Sequence, residues 1–340
     1  MGLYLDNGYL NIEQILNYDI PFSWVIGGRG TGKTFGALHY CYTHNKRFML
    51  MRRTQAQCDL INKPEFNPFK AINNEFGLNI TVKSISKYNA KIVEESDDDE
   101  RVLGYTCALS TIANMRGFDA SDCELLLYDE FIPEKHERSI GKNAEGMSFL
   151  NAYETLNRNR ELKPGGKPMQ VLGLANALNI ANPIFLELGL VGRCEKMKNS
   201  GQELFIDRER GVLVVLLQKS KISKAKADTA LYRLSSGSYS DMALSNIFVY
   251  NNSDNVKSLS LKEFKLICSV GEISIYKHKS KRLFYVSEHR TGSAPLYKSD
   301  EVNLQRYRKN HGLTLYSAYM RNNVICESLL TKSLFELYTL

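Results

Sequence analysis

Short, nearly continuous apolar runs, separated by polar and glycine-containing turns, recur through the first two thirds of the chain. The clearest are Phe22–Ile26, Phe48–Met51, Leu125–Tyr128, Met169–Ala175 and Val212–Leu217. Runs of this kind, without strict alternation, predict strands buried on both faces of a parallel sheet. Helical patterns lie between them. Phe35–Tyr40 reads as the opening of a helix, Tyr9–Leu16 as a short helix, and Pro64–Phe76 as helical in part. Phe149, Leu150, Tyr153 and Leu156 recur at helical spacing, so Ser148–Asn159 is predicted to be an amphipathic helix. Asn79–Glu95 alternates (Ile80, Val82, Ile85, then Ile92, Val93) and predicts a hairpin turning at Lys87–Asn89; Val102–Ser110 resumes strand character. Leu204–Ile206 and Val212–Leu217, joined across Asp207–Gly211, predict a terminal hairpin on the sheet.

The pattern changes after residue 217. Gln218–Asp228 holds four lysines with Ser and Ala, and the polar cluster Ser235–Asp241 follows. Beyond it the period becomes two: Leu266–Val270, Ile273–Tyr276 and Leu283–Val286 predict a three-stranded antiparallel meander. Ser299–Leu340 reads as mostly helical, with Ser299 or Asp300 as N-cap and Gly312 as a break. The expected organisation is therefore an α/β domain over residues 1–217, a linker over 218–245 and an α+β domain over 246–340.

Composition narrows the class. The chain has 340 residues, 43% hydrophobic and 24% charged, ordinary values for a globular protein. No apolar run approaches the length of a bilayer span, so no membrane partner is expected. The N-terminal Met1–Asp6 carries no basic region or apolar core, so no signal peptide is expected. Seven scattered cysteines with no C-x-x-C spacing read as reduced thiols of a cytosolic protein. Six histidines form no H-x-x-x-H pair, so no metal is expected beyond one brought by a nucleotide. Net charge is +7 but uneven: 19 Lys and Arg face 10 Asp and Glu from Gln218 onward, against 25 and 27 before it. A basic C-terminal part suggests a polyanion such as nucleic acid, or simply a solvated surface.

Two stretches carry chemistry. Gly27-Gly28-Arg29-Gly30-Thr31-Gly32-Lys33-Thr34 fits G-x-x-x-x-G-K-[ST] and stands between a predicted strand and a predicted helix. That placement aims backbone N–H groups and the helix dipole at phosphates, with Lys33 on the β and γ phosphates of ATP and Thr34 on Mg²⁺. Leu125–Asp129–Glu130 is an apolar strand delivering two carboxylates at its C-terminal end, the edge where open α/β sheets bind ligands. Asp129 would complete the Mg²⁺ shell and Glu130 would polarise the attacking water. Arg52 and Arg53, ending a predicted strand, fit either a phosphate contact or a surface pair. The acidic run Asp97–Glu100 reads as a solvated loop. Arg158 and Arg160, after the amphipathic helix, fit either a reach to a neighbour's γ-phosphate or the favourable pairing of cations with a helix C-terminus, and position alone favours the latter. Asn176, at a strand tip, fits a γ-phosphate contact or a cap. Lys277, Lys279, Lys281 and Arg282, at a hairpin tip between Tyr276 and Phe284, suit phosphate contact, or an ordinary solvated turn.

Gly27–Thr34, Leu125–Glu130, Arg158–Glu161 and Leu174–Ala177, in this order, resemble the genome-packaging ATPases of small podoviruses. The resemblance covers most of residues 15–217, including Phe131 and Lys135, and continues more weakly beyond. It implies an additional-strand (ASCE-type) P-loop ATPase with a mainly parallel sheet. It also implies Arg158 as a trans arginine finger, Asn176 as γ-phosphate sensor, Arg29 as the arginine that packaging motors and large terminases place in the P-loop, and Arg116 as a basic residue acting across the interface. The C-terminal meander is similar to the start of an RNase H-like nuclease domain. Nuclease chemistry there needs an acidic cluster for two metals, and Leu266–Val270 offers no acid, so a degenerate, DNA-binding module is expected, with Lys135, Lys277, Lys279, Lys281 and Arg282 as candidate DNA contacts. The resemblance implies ATP-driven translocation of double-stranded DNA into a procapsid by a homo-oligomeric, pentameric ring in the host cytoplasm. Portal and procapsid are implied partners, and a packaging RNA fits as a further one. An active terminase-like nuclease, or an ATP-gated switch without sustained turnover, are the alternatives.

Overall fold

The computed structural model describes residues 2–96, 99–115, 117–134, 137, 140, 145–218, 220–226, 229–234 and 255–340. The chain divides into two compact units, Met1–Leu188 with Lys196–Tyr250, and Gly189–Glu195 with Asn251–Leu340. The basic residues Arg116 and Lys135, and most of the expected linker from residue 235, lie outside the described residues.

The first unit is built on a nine-stranded sheet. In chain order its strands are β1 (Phe22–Gly27), β2 (Phe48–Arg52), β3 (Ile80–Ser84), β4 (Ala90–Glu95), β5 (Glu100–Ala108), β6 (Leu125–Asp129), β7 (Gln170–Asn176), β8 (Leu204–Asp207) and β9 (Val212–Leu216). In space they run β3-β4-β5-β2-β6-β7-β1-β9-β8. The six from β5 to β9 are parallel, and the five apolar runs that predicted β1, β2, β6, β7 and β9 are buried on both faces. The expected hairpins close the edges: β3 with β4, and β8 with β9, pair antiparallel. The acidic run is partly structural, since Glu100 opens β5 and pairs with Lys83 and Lys91.

Helices cover both faces. α1 (Ile12–Leu16) is capped by Asn11, α2 (Lys33–Thr43) follows the glycine-rich loop, α3 (Gln55–Ile61) carries a Thr54–Gln57 capping box, α4 is Lys70–Phe76 and α5 is Glu145–Asn157. One face of the sheet packs Trp24 edge-on against Phe131, Phe149 and Phe185 at 4.9, 5.3 and 6.0 Å between ring centres. Val25, Leu50, Leu127, Leu174 and Val215 point the other way, into the cluster that holds Leu38 and Cys41 of α2. All seven cysteines are buried and unpaired.

The second unit holds β10 (Phe264–Val270), β11 (Ile273–His278), β12 (Phe284–Ser287), β13 (Leu296–Tyr297) and β14 (Val324–Cys326) in the order β13-β10-β11-β12-β14. β10, β11 and β12 form the expected antiparallel meander; β13 joins β10, and β14 joins β12, in parallel. Asp300 is the N-cap of Glu301–Tyr307. The expected break at Gly312 does not occur: the chain stays helical through a π turn over Arg308–Gly312 and continues as Leu313–Met320. Gly312 keeps an ordinary right-handed backbone, and Tyr307 and Arg308 anchor the turn on Thr339 and Tyr338. No helix among the described residues is long and apolar enough to cross a membrane.

Gly173 of β7 lies opposite Trp24, and a Cβ there would sit 2.2 Å from the indole. Gly173→Ala is expected to destabilise the fold by about 1–3 kcal/mol through overpacking. Trp24 is the chain's only tryptophan, so a shift of the denaturant midpoint followed by its fluorescence measures this.

Candidate active site

The register of the parallel strands decides which side chains meet. Gly27 of β1 pairs with Asn176 of β7, Asp129 of β6 pairs with Leu174, and Met51 of β2 pairs with Tyr128. The C-terminal ends of four adjacent strands therefore bring Gly27, Asn176, Asp129 and Arg52 to one edge of the sheet. Gly30 and Gly32 turn the loop between β1 and α2 with φ of 67° and 82°, values that glycine adopts without penalty.

Lys33 curls back into this loop. Its Nζ donates to the carbonyls of Gly27 at 3.1 Å and Gly28 at 2.8 Å, and to Thr31 Oγ1 and Asn176 Oδ1, both at 3.4 Å. Burial pushes its pKa down to about 8; Asp129 opposes the shift, and Lys226 and Arg29 add to it. Thr34 Oγ1 donates to both oxygens of Asp129, at 3.0 and 3.2 Å. Arg52 closes the group from β2: Nη2 lies 3.0 Å from Asp129 Oδ2, and Nη1 donates to Glu130 Oε2 at 2.7 Å. Glu130 has φ of 57°, which costs a residue with a Cβ about 1–2 kcal/mol. Such strain is commonly kept at functional sites, and here it turns the Glu130 carboxylate, half exposed, away from the buried strand.

Arg52, the last residue of β2, and Arg53 after it separate completely. Arg53 is fully buried, with Nε and Nη2 on the equally buried Glu145 at 2.6 and 3.0 Å and Nη1 on Glu137 at 2.7 Å. A surface pair is thus excluded. Glu137 also accepts from the backbone N–H of Glu134, whose own carboxylate takes Arg29 Nη2 at 2.5 Å. Arg158 and Asn159 both have positive φ and end α5. Arg158 donates to the Phe118 carbonyl at 2.7 Å and lies 3.8 Å from Asp119. Arg160 is held by the backbone carbonyls of Ala120, Cys123, Leu156 and Asn157. In the second unit, Lys277, Lys281 and Arg282 are exposed at the hairpin tip, and Lys279 donates to the Lys262 carbonyl at 2.6 Å.

A family model described as podovirus DNA encapsidation protein (Gp16) matches residues 5–324. The chain belongs to this family. Among its relatives, the DNA packaging protein of Bacillus phage phi29 is 24% identical over 331 residues, covering 92% of this chain and 91% of that one. The DNA packaging protein of Bacillus phage B103 is 24% identical over 339 residues, covering 94% and 97%. In structure, this encapsidation-family chain is similar to the phi28 gp11 DNA packaging motor (TM-score 0.64, 19% identity, 98% of each chain). It is equally similar to the phi29 viral genome packaging motor assembly (TM-score 0.64, 19% identity, 99% of this chain and 100% of that one). These likenesses establish the fold.

The residues fit a magnesium nucleoside triphosphate. Adjacent ligands of an octahedral Mg²⁺ at about 2.1 Å stand about 3 Å apart, and Thr34 Oγ1 and Asp129 Oδ1 are 3.0 Å apart. α2 has no side-chain N-cap, leaving its first-turn N–H groups for an anion. Arg29 Nε and Arg52 Nε are buried without a partner among the described residues. The cavity between Arg29, Lys33, Thr34, Asp129, Glu130 and Asn176 measures about 320 Å³, within the range of small-ligand sites.

The depressed Lys33 sets a pH dependence. A triphosphate needs the ammonium, which the free protein retains below about pH 8 and progressively loses above it. MgATP affinity is therefore expected to be flat to about pH 7.5 and then to fall up to about tenfold per pH unit. Lys33→Arg should flatten the profile, because guanidinium stays charged. Displacement of a fluorescent nucleotide across this range measures both, and a flat profile for the natural lysine contradicts the assignment.

Proposed function

We propose that this encapsidation-family chain hydrolyses ATP, and that hydrolysis drives double-stranded DNA into a viral procapsid. The observation that carries the reading is the contact of Thr34 with Asp129, beneath a lysine-bearing glycine loop, in a chain of this family. β7 stands between the strand that leads into the loop and the strand that ends in Asp129, which supports the additional-strand class of P-loop ATPases, with Gly27–Thr34 as its Walker A and Leu125–Glu130 as its Walker B motif.

Roles follow from position. Lys33 and the loop N–H groups bind the β and γ phosphates, and Thr34 and Asp129 would hold Mg²⁺, which would neutralise charge on the phosphates. Glu130 orients and deprotonates the attacking water, and Arg52 holds both carboxylates meanwhile. Asn176 reads the γ-phosphate, a role supported by its Oδ1 lying 3.4 Å from Lys33 Nζ. Arg158 is the finger offered to a neighbouring subunit. It has one carbonyl partner and a distant carboxylate, whereas Arg160 is tied to four carbonyls of its own chain, which favours Arg158. A finger acting in trans requires a homo-oligomeric ring, read here as a pentamer on the portal of a procapsid in the host cytoplasm, with a packaging RNA as a compatible partner.

The ATPase domain spans residues 1–217, a linker 218–245 and a C-terminal DNA-binding domain 246–340. In the C-terminal unit, the meander with β13 parallel to its first strand supports an RNase H-like ancestry. No group of three His, Cys, Asp or Glu side chains suited to a metal occurs among the described residues. Lys277, Lys279, Lys281 and Arg282 remain the candidate phosphate contacts, with Lys135.

Glu130→Gln is expected to keep MgATP binding and to lose about 10²- to 10⁴-fold in turnover; near-normal phosphate release removes Glu130 from its role. Mixing Arg158→Ala with Glu130→Gln subunits should restore hydrolysis at intermediate ratios, because each carries the half-site that the other lacks. Absence of restoration at every ratio contradicts the trans assignment. DNA affinity should fall linearly with salt on a log–log plot, and Lys277→Ala with Lys281→Ala should shallow the slope by about two.

A further inference from the structure

A lysine outside every motif reaches the glycine loop. Lys226 ends the short helix Lys221–Lys226, which follows β9, and its Nζ donates to the Arg29 carbonyl at 2.7 Å. Gly30 makes room for it, since a Cβ there would lie 1.9 Å from that nitrogen. The carbonyls of Gly27, Gly28 and Arg29 thus receive two ammonium groups, Lys33 on the first two and Lys226 on the third. Lys226 is half-buried, and burial lowers its pKa; its charge also lowers that of Lys33. Two partly desolvated cations on one loop, with Arg29 as a third, repel each other unless an anion joins them. Asp129, Glu130 and Glu134 balance Lys33, Arg52 and Arg29, whereas the described partner of Lys226 is a neutral carbonyl.

Resting on the ATP reading above, we infer that Lys226 is a second cis cation of the triphosphate site, which exchanges the Arg29 carbonyl for a phosphate oxygen when a nucleoside triphosphate is bound. A charge-assisted bond to phosphate is about twice as strong as one to a neutral carbonyl, so the exchange is favourable. It draws the helix Lys221–Lys226 toward the nucleotide. Residues 227–254 lead in sequence from this helix to the C-terminal unit, so the exchange also gives the chain beyond the ATPase sheet a signal of nucleotide state.

The test uses the full chain carrying Glu130→Gln, which separates binding from turnover, alone and with Lys226→Gln or Lys226→Arg. MgATP and MgADP affinities are measured by fluorescent-nucleotide displacement, and hydrogen exchange is followed over residues 221–226. Lys226→Gln should weaken MgATP by about tenfold and MgADP by less than about twofold, with Lys226→Arg recovering most of the loss. MgATP should slow exchange in this helix with Lys226 present and not with Gln. An unchanged MgATP affinity, or equal losses for both nucleotides, overturns the inference while leaving the ATPase reading intact. Failure of the Lys226-containing protein to bind MgATP at all overturns the ATPase reading itself. Matching circular dichroism melts for the three proteins exclude a folding defect as the cause.

Discussion

The site depends on one constraint, the register in which β7 is inserted between β1 and β6. Parallel strands can be joined only by crossovers, so the residues that must meet arrive from positions some hundred apart in the chain, and hydrogen-bond register alone sets their relative height. Gly27 pairs with Asn176, and Asp129 pairs with Leu174 at the level of Val25; Asp129 thus ends its strand two residues below Gly27, and the turn from the glycine loop into α2 brings Thr34 to it at 3.0 Å. A slip of one residue would turn Asp129 to the opposite face and bury a charge in the aromatic cluster around Trp24. That cluster, edge-on and tightly packed against Gly173, in turn disfavours the slip. Packing energy and the geometry of the candidate site are therefore two consequences of one register.

Charge is layered around this edge. Lys33, Arg29, Arg52 and Lys226 surround the glycine loop, and Asp129, Glu130 and Glu134 face them. Behind lies the buried Arg53–Glu145 pair, whose full desolvation is tolerated because Arg53 also reaches Glu137. Removing one member of such a pair costs far more than the pair contributes, so Arg53 serves to fix the chain after β6. Through Glu137 and the Glu134 backbone it connects to Arg29 in the loop.

The local parts of this arrangement were legible in the sequence. A glycine loop with its lysine and threonine is a contiguous motif, the buried strands announce themselves as apolar runs, and Asp129 and Glu130 follow directly on one of them. The resemblance on these motifs led to the family to which the chain belongs. What depends on strand order was not legible. Arg52 meets Asp129 and Glu130 only because β2 lies beside β6, and Arg53 is buried only because Glu145 returns beneath it. Lys226 has no motif and meets Arg29 across 197 positions. In the second unit β14 is three residues long, too short to show a period. The π turn at Gly312 depends on anchoring by Thr339 and Tyr338, which no local pattern reveals.

Steady-state phosphate release by the full chain, with Mg²⁺ and ATP and with or without double-stranded DNA and procapsids, decides whether this site turns ATP over. Mg²⁺-dependent turnover, stimulated by DNA and procapsids together and abolished by Glu130→Gln, is the expected result. Binding of ATP without turnover under any of these conditions would contradict it and leave a nucleotide-gated switch in its place.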